Sequence, residues 1–150
     1  MLFKMVSPSW FDDTITNYQS ILTAGSGNIN TKTVANSGNY YVVNPIITLT
    51  AGSTNITEAI IQKMSSTGAT ILNELYFTGT LLAGNALVID CGALTVLNNG
   101  VDASADFDTG TSHKEAPWFT LWPSNNTVRV TLTGGSTDSV LDVDFYPAHA

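Results

Sequence analysis

Two short apolar runs, Leu87 to Cys91 and Leu94 to Leu97, lie in a frame of glycine and asparagine from Gly84 to Gly100, and this stretch constrains the fold most. Read as GNALVIDCGALTVLNNG, it predicts a tight β-hairpin, because Gly and Asn tolerate the positive φ that close strand reversals require. The next sheet connection is expected to begin at Asn98, Asn99 and Gly100. No catalytic motif accompanies these runs, here or elsewhere in the chain, so function has to be sought in architecture.

A chain of 150 residues fits one domain, long enough to bury about 70% of its unfolded surface without disulfides or metal. Charged residues are only 11% of the total, and five Lys plus Arg against twelve Asp plus Glu give a net charge of -7. Such a balance is repelled by phosphate backbones and argues against nucleic-acid binding. Hydrophobic residues make up 43%, which argues against disorder. Ser, Thr, Asn and Gly fill most polar positions, as in β-proteins with many turns.

Cys91 is the sole cysteine, so no intramolecular disulfide forms, and its place at a strand end reads as a small buried residue. The opening MLFKMVSPSW lacks the apolar core of a secretory signal, and no run reaches transmembrane length. Synthesis in a cytoplasm without membrane insertion is the expectation. The sequons at Asn55 and Asn125 then read as products of composition.

Along the chain, residues 1–30 read as an arm or first strand followed by a flexible loop, and 31–150 as the main domain. Tyr40 to Thr50 is dense in β-branched and aromatic residues, but Pro45 removes a donor, which predicts a sheet edge or two strands meeting at a bulge. Ile56 to Met64 lacks clean alternation and leaves a short helix open as an alternative. Ile71 to Thr78 alternates with apolar groups on both faces. From Val101 to Thr111 only Val101 and Phe107 offer burial. Val128, Val130 and Leu132 alternate with Thr127, Arg129 and Thr131, and Leu141, Val143 and Phe145 with Asp142 and Asp144, predicting a C-terminal hairpin across Gly134 and Gly135. Roughly eight or nine short strands with regular turn signals favour an all-β, antiparallel sandwich or jelly roll.

In their order along the chain, several pieces carry a family resemblance. They are Pro8-Ser9-Trp10-Phe11, then Asn36-Ser37-Gly38-Asn39 with Asn44-Pro45-Ile46-Ile47, then Thr67-Gly68 with Leu75 and Phe77. The Gly84 to Asp90 hairpin with Thr95-Val96 and Asn99-Gly100 follows, and Phe119-Thr120-Leu121-Trp122-Pro123-Ser124-Asn125 closes the series. The chain resembles the C-terminal, galectin-like β-sandwich domain of siphophage distal tail proteins. Asp90, Gly100, Leu121, Pro123 and Asn125 are the fingerprint of that resemblance. Two departures stand out: the family's N-terminal ring-forming domain is expected to be missing, and Ser124 replaces the usual Gly of the Leu-x-Pro-Gly-x-Asn turn.

The resemblance implies a non-enzymatic virion protein of the tail that docks on other virion proteins and self-associates as a trimer or hexamer, with no cofactor. A capsid decoration protein of the same fold and a carbohydrate-binding module for host glycans are the alternatives. Trp10, Phe11, Trp118 and Trp122 are the candidate glycan or interface aromatics, with Tyr76 and Tyr146 as further members of a platform. The bland reading packs Trp118 and Phe119 in the core and pins Trp122 by Pro123.

Asp102, Asp106, Asp108, His113 and Glu115 invite a metal hypothesis, but their spacing fits neither an EF-hand nor a zinc site, and a solvated acidic loop is favoured over calcium. Asp12 with Asp13 reads as a solvated turn, and His149 as a disordered end. No Ser, His and Asp set lies on a nucleophile elbow, and no catalytic or metal residue is assigned.

Overall fold

The computed structural model describes residues 10–11, 14–22, 28–39, 43–110 and 117–149. Their strands are β1 (Trp10–Phe11), β2 (Thr16–Leu22), β3 (Asn28–Asn36), β4 (Ile46–Thr50), β5 (Ile56–Met64), β6 (Ile71–Phe77) and β7 (Ala86–Asp90). β8 (Thr95–Asn98), β9 (Val101–Asp102), β10 (Phe107–Asp108), β11 (Ser124–Gly134), β12 (Ser139–Phe145) and β13 (Ala148–His149) complete the series, with one 3-10 turn at Ser104–Asp106. β1, β9, β10 and β13 are two-residue pieces, which leaves nine strands of four residues or more among the thirteen.

Two antiparallel sheets form the expected sandwich. One has six strands in the order β2-β12-β4-β7-β8-β9, the other five in the order β10-β6-β5-β11-β3, and β1 pairs with β13. Period-two patterning explains why the sheets stack. Ile47, Leu49, Leu87, Ile89, Leu141 and Val143 point inward from the first sheet, and Val34, Ile61, Leu75, Phe77, Val128 and Val130 from the second. Full burial of each larger side chain favours folding by about 1.5 to 3 kcal/mol, enough to hold the layers without cross-links.

Four local expectations are corrected. β4 is an interior strand between β12 and β7, not an edge; Pro45 is tolerated because it precedes the paired segment, and its carbonyl still accepts the Cys91 N–H at 3.1 Å. Ile56–Met64 is the nine-residue strand β5, whose broken alternation reflects a register shift at Lys63/Met64 and burial on both faces. Val101 is 69% exposed, and Ala103 is buried instead. His149 is paired with Trp10 in the small β1-β13 sheet.

The largest correction concerns the C-terminus, where β11 and β12 do not form a hairpin but lie in opposite sheets. Both sides of β11 are occupied, by β3 and β5, so the chain has to cross the sandwich. Gly134 and Gly135 make the crossing at φ of 79° and 82°, and a Cβ on Gly134 would stand 2.6 Å from the Asn55 carbonyl oxygen. Two amphipathic strands look alike whether paired side by side or facing across a core, so alternation cannot choose between these arrangements.

Candidate functional site

The opening hairpin forms as β7 and β8, with Ile89 opposite Val96 and Asp90 opposite Thr95. Asp90 shapes its turn: its carboxylate accepts the N–H of Gly92 at 2.9 Å and of Ala93 at 2.8 Å. Asn99 and Gly100, at φ of 50° and 80°, make the two-residue reversal from β8 to β9. Cys91, behind the hairpin, is buried, and desolvation pushes its thiol up to about 12.

Trp118 and Trp122 do not share a groove. Trp118 is half-buried and leans on Phe107, with ring centroids 5.2 Å apart, beside a cavity of about 600 Å³ whose lining includes Leu94 and Val96. Trp122 lines a separate groove of about 330 Å³ with Lys63, Ser65, Ser66, Leu72 and Asn125, and is 53% exposed. Tyr76 is half-buried and donates its hydroxyl to Glu58 at 2.9 Å, while Tyr146 is 47% exposed. Trp10 and Phe11 are placed by backbone pairing with His149 and Ala148, and their side chains lie outside the described residues.

The Trp122 groove is built from the segment that carries the fingerprint. Leu121 is fully buried and exchanges two backbone bonds with Val43, at 2.8 and 2.9 Å. Pro123 follows Trp122, and Ser124 then adopts a φ of 91°, the conformation that suits the glycine of the family turn. Asn125 is exposed. The side chain that closes the turn is its buried neighbour Asn126, which bonds both the N–H and the carbonyl of Trp122 at 2.9 Å. The Leu-x-Pro-Gly-x-Asn spacing counts to Asn126, the signal that the fingerprint missed.

Lys63 was also not foreseen. It is 2% exposed, donates to the carbonyl and hydroxyl oxygens of Thr120 at 3.0 and 3.2 Å, and lies 5.4 Å from the Trp122 ring centroid. On the outer face of the same sheet Arg129 donates to Gln62 at 2.7 Å, and Gln62 to Glu74, a ladder across three strands.

The acidic loop is dispersed into local turns. Asp102 accepts the backbone N–H of Ser104 at 3.0 Å, which holds its carboxyl below the ordinary value, and the Ser104 hydroxyl adds to this. Asp108 accepts the Gly110 N–H at 3.2 Å, and Asp106 lies in the 3-10 turn. His113, Glu115, Asp12 and Asp13 lie outside the described residues. Among those described, no three His, Cys, Asp or Glu side chains converge to hold a metal ion.

The described Lys and Arg side chains, Lys32, Lys63 and Arg129, all lie on the five-stranded sheet, where Glu58, Glu74 and Asp108 accompany them. The charged side chains on the six-stranded sheet are Asp90, Asp102, Asp142 and Asp144, with no Lys or Arg on any of its strands. Beside the last two stand neutral amides: Asn17 donates to Asp144 at 2.6 Å and Gln19 to Asp142 at 2.9 Å.

Comparison with known proteins adds a family to this geometry. A search of curated proteins finds no match. In structure the chain is similar to the Dit protein of SPP1, whose crystal structure is described as a paradigm of the hub adsorption apparatus in phages infecting Gram-positive bacteria. The two share 18% identity at a TM-score of 0.63, over 93% of this chain and 48% of that one. This chain thus spans about half the length of that protein, and the likeness is one of fold. The family model of the siphovirus-type tail component, C-terminal domain, matches residues 37–148. Three quarters of the sequence and nine of the eleven strands of the two sheets fall within that match, with β2 and β3 before it, and the chain belongs to the family of siphovirus-type tail components, of which it carries the C-terminal domain.

Proposed function

We propose that this chain is a non-enzymatic structural module of a siphophage tail, made in the host cytoplasm, that docks on other virion proteins and self-associates as a trimer or hexamer. The family match over residues 37–148 carries the reading and favours the tail over a capsid decoration role. It is supported by the way the carboxylates of Asp90, Asp102 and Asp108 are used in closing turns. The likeness to SPP1 Dit suggests the adsorption end of the tail as its place. Negatively stained virions labelled with an antibody to this chain test it: label at the tail tip supports the reading, and label confined to the head overturns it. Light scattering of the purified chain tests the self-association.

One observation favours a second role, contact with a host glycan. Trp122 is exposed in a groove whose lining offers hydroxyl and amide groups from Ser65, Ser66 and Asn125, a mixture that stacks on and hydrogen-bonds to a sugar ring. Binding on a glycan array that is lost in Trp122→Ala and kept in Trp118→Ala is the expected result; an array silent with the parent chain ends this reading.

A further inference from the structure

The two sheets end in four edge strands, and three of them are blunted. β9 and β10 are two residues long. β3 has nine residues, but Lys32, paired with buried Val128, lies on the core side of the sheet, an inward-pointing charge that disfavours an added strand. β2 is different: its seven residues, TNYQSIL, include no charge, Pro or Gly. β12 pairs with one side of its backbone from Thr16 to Leu22, and among the described residues no strand pairs with the other. Ile21 projects from the outer face there, 63% exposed, opposite Val140.

We infer that the β2 edge is a docking site for an extended, Lys- or Arg-bearing segment of a different protein, which joins the six-stranded sheet as a further strand. The occupant follows from charge. All four ionised side chains of this sheet's strands are Asp, and Asp142 and Asp144 sit on β12, directly beside β2. A strand laid on β2 lies about 10 Å from β12, two strand spacings, a span that Lys or Arg side chains reach across toward the carboxylates. Asn17 and Gln19 bond these carboxylates without neutralising them. A second copy would instead set two all-aspartate faces side by side in a chain of net charge -7. Ile21 supplies the apolar contact for the incoming strand.

This inference rests on the reading of the chain as a docking module and gives that docking an edge and a sign of charge. Its test uses the whole chain with two labelled peptides, one alternating lysine and valine, the other glutamate and valine. The lysine peptide is expected to bind at low salt about tenfold or more tightly than the glutamate peptide, and to slow amide exchange within residues 16–22. Ile21→Lys is expected to weaken that binding about tenfold with its unfolding midpoint unchanged; if it misfolds, Gln19→Lys serves in its place. Absence of binding, equal binding of both peptides, protection elsewhere on the chain, or a dimer that Ile21→Lys dissolves would each overturn the inference. Virion labelling that missed the tail would leave these readouts untouched, so failure of the tail reading and failure of the edge are separable.

Discussion

Asn126 clasps the backbone of Trp122 from both sides: its Oδ1 accepts the Trp122 N–H at 2.9 Å, and its Nδ2 donates to the Trp122 carbonyl at 2.9 Å and to the Ser124 carbonyl at 3.1 Å. A buried amide used this fully fixes the exposed Trp122 while contributing almost no surface of its own. Asn126→Ala leaves the clasped groups short of partners and is expected to cost about 2 to 4 kcal/mol. Urea unfolding measures the loss. An unchanged midpoint would show that water replaces the amide.

Ser124 holds a φ of 91°, a backbone that an L-residue adopts under strain and glycine adopts freely. Ser124→Gly is expected to stabilise the chain by about 1 kcal/mol, less whatever is lost with the Ser124 hydroxyl, which accepts the Asn125 N–H at 2.6 Å. A higher midpoint in urea is the supporting outcome. A lower one would mean that the hydroxyl outweighs the backbone.

Much of this architecture was legible in the chain, and the exceptions have physical causes. The hairpin at Asp90 and the reversal at Gly100 were readable because turn chemistry is local. The inward faces of β11 and β12 were readable because burial follows period two, yet their placement in opposite sheets was not, since side-by-side and face-to-face strands share one pattern. Lys63 was hidden because a lysine between Gln62 and Met64 gives no sign that its ammonium turns inward to Thr120, a contact 57 residues away. The separation of Trp118 from Trp122 is a matter of span, since four residues of extended chain cover about 13 Å.

Cys91 should be inert in the folded protein. Burial holds its thiol near 12, so at pH 8 almost no thiolate is present, and the surrounding core excludes reagents. Ellman's reagent is expected to react with none of it natively and with one thiol per chain in denaturant. Fast native labelling would show that the β7 end opens far more readily than the rest of the core.

The last prediction concerns acid. Asp138 ties the turn before β12 to the loop after β4: the Ser136 hydroxyl is the largest cause holding its carboxyl below the ordinary value, and the Ser53 N–H is next. Asp102 is lowered as well, first by the Ser104 N–H. A carboxyl whose folded pKa lies below its unfolded value of about 3.9 stabilises the fold fully above that value, and the contribution is lost as pH falls through the folded pKa. Stability should therefore be flat in this respect at neutral pH and decline below about pH 4. Asp138→Asn removes one ionisable anchor, so the variant should start with a lower midpoint at pH 7 and lose less between pH 4 and pH 2, the two curves converging in acid. Parallel curves over that range would mean that Asp138 stays ionised, or bonds equally well when protonated, and that the acid sensitivity arises elsewhere.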